Sequence, residues 1–163
     1  MTDPLLIRRA GPADAAIITR FNLHLAAETE DLRLDPACVA AGVAAVLADA
    51  AKGVYFLAEL GGAVAGQTMI TYEWSDWRNG LIWWLQSVYV SPEFRRQGVF
   101  RALFDHLLGE AARQPQVCAL RLYMHRDNVA ARRTYERAGM VQTHYEVFEY
   151  DNPHPLPPTP AAE

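Results

Sequence analysis

Only two cysteines, Cys38 and Cys118, occur in 163 residues, far apart and among apolar neighbours. So few exclude a disulfide framework and a cysteine-built metal site, and both read as buried free thiols. No run reaches the ~20 apolar residues of a membrane-crossing helix. The residues ahead of the first apolar segment, Asp3 and Pro4 among them, lack a signal-peptide pattern. A soluble cytoplasmic protein with no membrane partner is therefore expected. Positive charge is not in excess either: a formal net charge of -4 argues against a nucleic-acid partner. Also missing are the phosphate-binding Gly-x-x-x-x-Gly-Lys-Ser/Thr pattern, an evident metal-binding carboxylate pair, and any Ser-His-Asp or Cys-His arrangement. No metal and no covalent nucleophile are expected.

What remains is a hydrophobic fraction of 51%, ordinary for one globular domain with a proper core. Residues 1–150 read as that domain. Residues 151–163 hold five of the ten prolines and read as an extended tail. Residues 5–9 make a first strand. A helix follows from Asp14, with apolar positions at Ile17, Ile18, Phe21 and Leu25, and a second starts at Asp35-Pro36, where proline suits the first helical position. Residues 54–60 and 64–72 form a hairpin across Gly61-Gly62. The stretch Gly61-Gly62-Ala63-Val64-Ala65-Gly66 nearly spells a dinucleotide fingerprint, but Ala63 replaces the middle glycine and no helix pattern follows. It reads as the hairpin turn.

Residues 81–110, LIWWLQSVYVSPEFRRQGVFRALFDHLLGE, carry the most information. A strand rich in β-branched and aromatic residues closes at Pro92. After Gly98, apolar residues at Val99, Phe100, Leu103, Phe104, Leu107 and Leu108 have the spacing of a helix with one buried face. A strand, a glycine-containing turn and a helix N-terminus form a seat for an anion, because first-turn amides and the helix dipole both favour one. Arg95, Arg96 and Arg101 lie around it. Residues 117–124 then give a strand, 128–138 a helix closed by Gly139, and 141–150 a last strand. The order β-αα-βββ-α-β-α-β is that of an α/β sandwich, a mixed sheet covered by helices. On the helix, Asn128, Ala131, Tyr135 and Gly139 follow at spacings of three, four and four and share one face.

Two of these segments carry a family resemblance. Val90-Ser91-Pro92-Glu93-Phe94-Arg95-Arg96-Gln97-Gly98-Val99-Phe100 resembles the acetyl-CoA-binding motif of the GCN5-related N-acetyltransferase (GNAT) superfamily, Arg/Gln-x-x-Gly-x-Gly/Ala. Arg95 and Gly98 match, whereas Phe100 stands where the family has a small residue. Asn128-x-x-Ala131-x-x-x-Tyr135-x-x-x-Gly139-Met140 is similar to the second signature of that family, Asn-x-x-Ala-x-x-x-Tyr-x-x-x-Gly-Phe. The resemblance implies an α/β/α sandwich with a mixed, mostly antiparallel central sheet, and acetyl-CoA as cosubstrate. It implies that residues 85–90 and 117–124 splay apart, with backbone groups of Val88, Tyr89 and Val90 bonding the pantetheine arm like an added strand. Arg95 to Arg101, including Gln97, Gly98, Val99 and Phe100, would hold the diphosphate, with Asn128 and Ala131 on the coenzyme's arm and Tyr135 as the acid for the departing thiolate. A homodimer is a further implication.

Acetyl transfer from a thioester to an amine also needs the amine to lose a proton. Many relatives carry a glutamate about where Gln86 stands, and an amide cannot take that proton. Glu73, Glu28, Glu30 and Asp31 remain as bases, each with the alternative of a solvated surface carboxylate; Gln86 can orient the acceptor by hydrogen bonds. Tyr72, Trp74, Trp77, Trp83 and Trp84 gather near Glu73 and Asp76, a composition that suits a cationic amine or, for some of them, a core. The region 71–98 resembles the small-molecule, spermidine/spermine acetyltransferase branch. The expected activity is acetyl transfer to a small primary amine by direct attack. A coenzyme-binding module without transfer and a protein or peptide N-acetyltransferase are the alternatives.

Overall fold

Gly61 and Gly62 hold φ of 60° and 78°, the pair of left-handed residues a two-residue hairpin needs. The computed structural model, which describes residues 4–152, accordingly folds β2 (Val54–Leu60) straight back on β3 (Ala63–Ser75). β3 turns into β4 (Gly80–Val90) through the longer connection 76–79, with Asn79 at φ 46°. β1 (Leu6–Arg9) flanks β2, and β5 (Val117–Arg121) flanks β4, so the strands lie in chain order across the sheet. All pairings are antiparallel except β4 with β5. That parallel pair needs a crossover, and α3 (Val99–Ala112) supplies it.

The period-two alternation of β2 decides what covers each face. Tyr55 and Leu57 point to one side, where they pack with Ile18 of α1 (Ala15–Glu30) and Val43 of α2 (Pro36–Ala48). Val54, Phe56 and Ala58 point to the other, against Val99, Leu103, Phe104 and Leu107 of α3. The α/β/α sandwich expected from the sequence is what forms. α2 begins as its sequence dictates: Pro36 is the first helical residue and the Asp35 carboxylate accepts from the Ala37 amide at 3.0 Å. α4 (Val129–Arg137) ends with Gly139 at φ 92°, Gly139 N–H donating to Glu136 O and Met140 N–H to Tyr135 O, a closure that glycine makes possible.

Three expectations are corrected. Residues 141–150 form no strand; Val141, Tyr145, Val147 and Phe148 are all exposed. Val141, Tyr145 and Val147 alternate as the residues of one strand face do, but all three are exposed, so among the described residues nothing packs on that face to hold a strand in place. Among the described residues the sheet therefore ends at β5. Second, Cys38 and Cys118 are exposed free thiols rather than buried ones: Cys38 sits in the outward first turn of α2, and Cys118 on the open strand β5. Third, the strand expected over 117–124 stops at Arg121, which matters for the site. The tail expected over 151–163 lies, from residue 153 on, outside the described residues. Among these residues no helix is long and apolar enough to cross a membrane.

Candidate active site

β4 changes direction at Ser87. Gln67 pairs with Tyr89 and Met69 with Gln86, so Ser87 and Val88 together face one residue of β3, a bulge, with Ser87 at φ 51°. Pairing between β4 and β5 ends at Trp84 with Arg121. Past that point the two strands part. Among the described residues, backbone groups of 85–90 on that side have no strand neighbour, and a cleft of about 1140 Å³ opens between them, residues 122–125, the start of α3 and α4. Splaying of these two strands is the arrangement the resemblance implied.

The bulge is pinned from behind. Gln67 is fully buried; its Nε2 donates to Ser87 O at 3.2 Å and to Asn22 Oδ1 at 2.7 Å. Asn22 Nδ2 in turn donates to Tyr55 Oη at 3.0 Å. This chain of polar groups ties α1 to the strand that forms the cleft wall. The sequence reading missed it, and the one signal available was two amide side chains among otherwise apolar stretches.

The anion seat forms as its residues require. Between β4 and α3, Arg96 and Gly98 take φ of 62° and 80°. The first amide to bond back within α3 is Ala102, to Gly98 O at 2.9 Å, so the amides of Gly98, Val99, Phe100 and Arg101 have no acceptor inside the helix. A Cβ built on Gly98 would meet no protein atom within 4 Å: the backbone angle demands glycine, and the space above it is free for a ligand. The Gln97 side chain is turned away, donating to Glu93 O at 2.9 Å, which leaves Gln97 only its main chain to offer. Arg101 is paired with Asp105 at 2.8 Å. Arg95 donates Nε–H to Val90 O at 3.0 Å and Nη2–H to Glu28 Oε2 at 2.5 Å.

Glu28, at the last turn of α1, also accepts from Tyr89 Oη at 2.9 Å. Burial acts to raise its pKa, but the Arg95 and Tyr89 hydrogen bonds prevail and hold the carboxyl below its usual range. Burial and the same carboxylate push the Tyr89 phenol up to about 12.

Tyr135 reaches the cleft from α4, beside Ala131 and Asn128. Asn128 caps this helix, its Oδ1 accepting from the Ala131 amide at 3.1 Å, which leaves the side-chain NH₂ as the donor it can offer a ligand. Burial raises the Tyr135 phenol above its ordinary value, so it stays protonated at neutral pH. Phe100, the departure from the family pattern, meets Tyr135 edge to face at 5.3 Å and stacks on Phe104 at 5.8 Å.

The acceptor candidates divide into two groups. Glu28, Glu30 and Gln86 line the cleft; Glu73 and Trp84 stand off it. Glu73 accepts from Trp84 Nε1 at 2.5 Å and faces Arg121 at 3.5 Å. The Arg121 guanidinium lies 6.0 Å from the Trp84 ring and 5.8 Å from the Tyr145 ring. The aromatic and carboxylate cluster expected to receive a cation thus already holds one of the protein's own. Trp83 is core, and Trp77 and Trp74 face solvent.

Comparison with known proteins agrees with this geometry. The model of the acetyltransferase (GNAT) family matches residues 21–140. No curated protein matches. Among solved structures, one from Clostridium difficile 630, described as a possible acetyltransferase, superposes with a TM-score of 0.85 at 41% identity, covering 92% of this chain and 99% of that one. A predicted acetyltransferase from Clostridium acetobutylicum, solved with acetyl-CoA, has a TM-score of 0.73 at 17% identity, with 91% and 96% covered. A ribosomal-protein-alanine N-acetyltransferase from Brucella melitensis biovar Abortus 2308 has a TM-score of 0.72 at 17% identity, with 91% and 99% covered. The family model spans most of the chain and the Clostridium difficile structure shares 41% of its residues over 92% of it, so the chain belongs to the GNAT family of acetyl-CoA-dependent N-acetyltransferases.

Proposed function

We propose that this acetyltransferase acts on a primary amine of a small molecule, by direct attack within the β4–β5 cleft. One observation carries the reading: a single cleft gathers the guanidiniums of Arg95, Arg96 and Arg101, the Tyr135 phenol, and the carboxylates of Glu28 and Glu30. Cationic groups suit a coenzyme's phosphates and carboxylates suit an ammonium. The space left over Gly98 and the unpaired amides after it fit a diphosphate, and the unpaired edge of 85–90 fits an amide-bearing arm. Bound there, acetyl-CoA supplies the activated acyl group.

The remaining work falls to the chain. Tyr135, kept protonated by burial, donates a proton to the departing sulfur. Gln86, loosely tied to Thr71 at 3.5 Å, orients the acceptor nitrogen. Glu28 and Glu30 attract the ammonium, and either takes its proton directly or through water. The resemblance to the spermidine/spermine branch supports a polyamine-like acceptor, while the Brucella relative is named for a protein substrate.

The test is thiol release from acetyl-CoA with polyamines, amino acids, aminoglycosides and a peptide with a free N-terminus, repeated with Tyr135→Phe. Turnover with a small amine, lost roughly 100-fold or more in the variant at unchanged coenzyme affinity, is the expected result. Release with the peptide alone refutes the small-amine reading, and equal turnover of both proteins refutes the role of Tyr135.

A further inference from the structure

Glu28 and Arg95 both line the cleft and are bound to each other. Their ion pair is 2.5 Å long and joins the end of α1 to the loop that starts the anion seat, 67 residues later. It is half exposed on both sides, 46% and 40%, so it is a weak contact that a better partner displaces. Arg95 is held in place independently by Val90 O at 3.0 Å and lies 5.8 Å from the Tyr89 ring. Glu28 likewise keeps a second partner, Tyr89 Oη at 2.9 Å. Breaking the pair therefore leaves both side chains where they are, with one charge each unmatched.

We infer that Glu28 is the carboxylate that receives the acceptor's ammonium, and that Arg95 withholds it until the coenzyme's phosphates take Arg95 over. The inference rests on the acetyltransferase reading of this cleft and adds an order to it. A diphosphate near the start of α3 offers Arg95 a doubly charged partner in bidentate geometry, stronger than one exposed carboxylate oxygen. Glu28, still hydrogen-bonded to Tyr89, then faces the cleft as an uncompensated anion. An ammonium group that meets the coenzyme-free protein finds this carboxylate neutralised, and one that meets the complex does not. The two ligands are coupled through one exchanged ion pair. Glu30, two residues on, also lines the cleft but makes no hydrogen bond or ion pair with Arg95, whose carboxylate partner is Glu28, so the coupling is assigned to Glu28 alone.

Glu28→Gln separates the two roles because it moves two constants in opposite directions. Calorimetry with acetyl-CoA should show affinity tightened about two- to fivefold, the gain from freeing Arg95 of an exposed partner. The KM of whichever panel amine turns over fastest should rise tenfold or more. Glu30→Gln should leave coenzyme affinity unchanged. A folding defect would weaken both ligands, so unchanged or weakened coenzyme binding in Glu28→Gln overturns the inference, as does an unchanged amine KM. Wild-type protein that binds no acetyl-CoA would instead overturn the reading of the cleft itself.

Discussion

The edge of the Phe100 ring meets the Tyr135 ring at a centroid distance of 5.3 Å, so a residue in the first turn of α3, part of the anion seat, braces the proposed acid. Phe100 stacks on Phe104 behind it, and Phe104 is buried in the core. The phenol is thus referred to the core through two aromatic contacts. An aromatic pair contributes ~0.5–1.5 kcal/mol beyond its buried area. Phe100→Ala should lower kcat roughly two- to tenfold through loss of Tyr135 positioning, with Phe100→Leu between the two. Steady-state kinetics on the three proteins checks this. Equal kcat values would mean that Tyr135 is positioned by α4 alone.

Arg8 and Asp14 tie β1 to the start of α1, with two hydrogen bonds of 2.8 Å between them. The carboxylate also accepts from the Gly11 amide at 2.8 Å. Arg8 foremost, and Gly11 after burial's opposing effect, hold the Asp14 carboxyl below its usual range. A depressed acid favours the folded state when charged: its contribution is complete above the unfolded value of ~3.9 and disappears as pH falls through the folded one. Asp14→Asn should therefore cost about 1–2 kcal/mol at pH 7, a figure reduced by the partial exposure of Arg8. Urea unfolding at pH 7 and at pH 3 should show the gap between the proteins narrowing in acid. A gap of the same size at both would mean that charge is not what Asp14 contributes.

How much of this was legible in the sequence depended on whether local pattern and tertiary context agreed. The Gly61-Gly62 hairpin, Pro36 after Asp35, the helix after Gly98 and Gly139 after α4 each rest on backbone chemistry confined to a few residues, and each appears in the structure. The bulge at Ser87 is different. Its position follows from a register shift against β3, which leaves no local trace, and from the Gln67 amide reaching across, which shows in the sequence only as an amide whose partner is unknown. The alternation in 141–150 predicts a strand because it counts β-branched and aromatic residues, but propensity alone does not supply a buried face. Trp84 and Glu73 looked like an acceptor site from composition. Arg121, from a strand 37 residues further on, fills it; sequence proximity gave no sign of that.

Gly98 separates two reasons for a glycine. Its φ of 80° makes any side chain there cost about 1 kcal/mol of folding free energy. The protein itself leaves the Cβ direction open, with nothing within 4 Å, so Gly98→Ala adds no internal clash. If the amides from Gly98 to Arg101 hold the coenzyme's diphosphate, the added methyl stands where the ligand must approach. Acetyl-CoA affinity should then fall tenfold or more, which is ~1.4 kcal/mol or above, while the urea midpoint shifts only by the backbone cost. Calorimetry and unfolding on the same preparation give both numbers. An affinity that survives the methyl group would show that these amides do not form the seat, and the anion would have to be held by the arginine side chains alone.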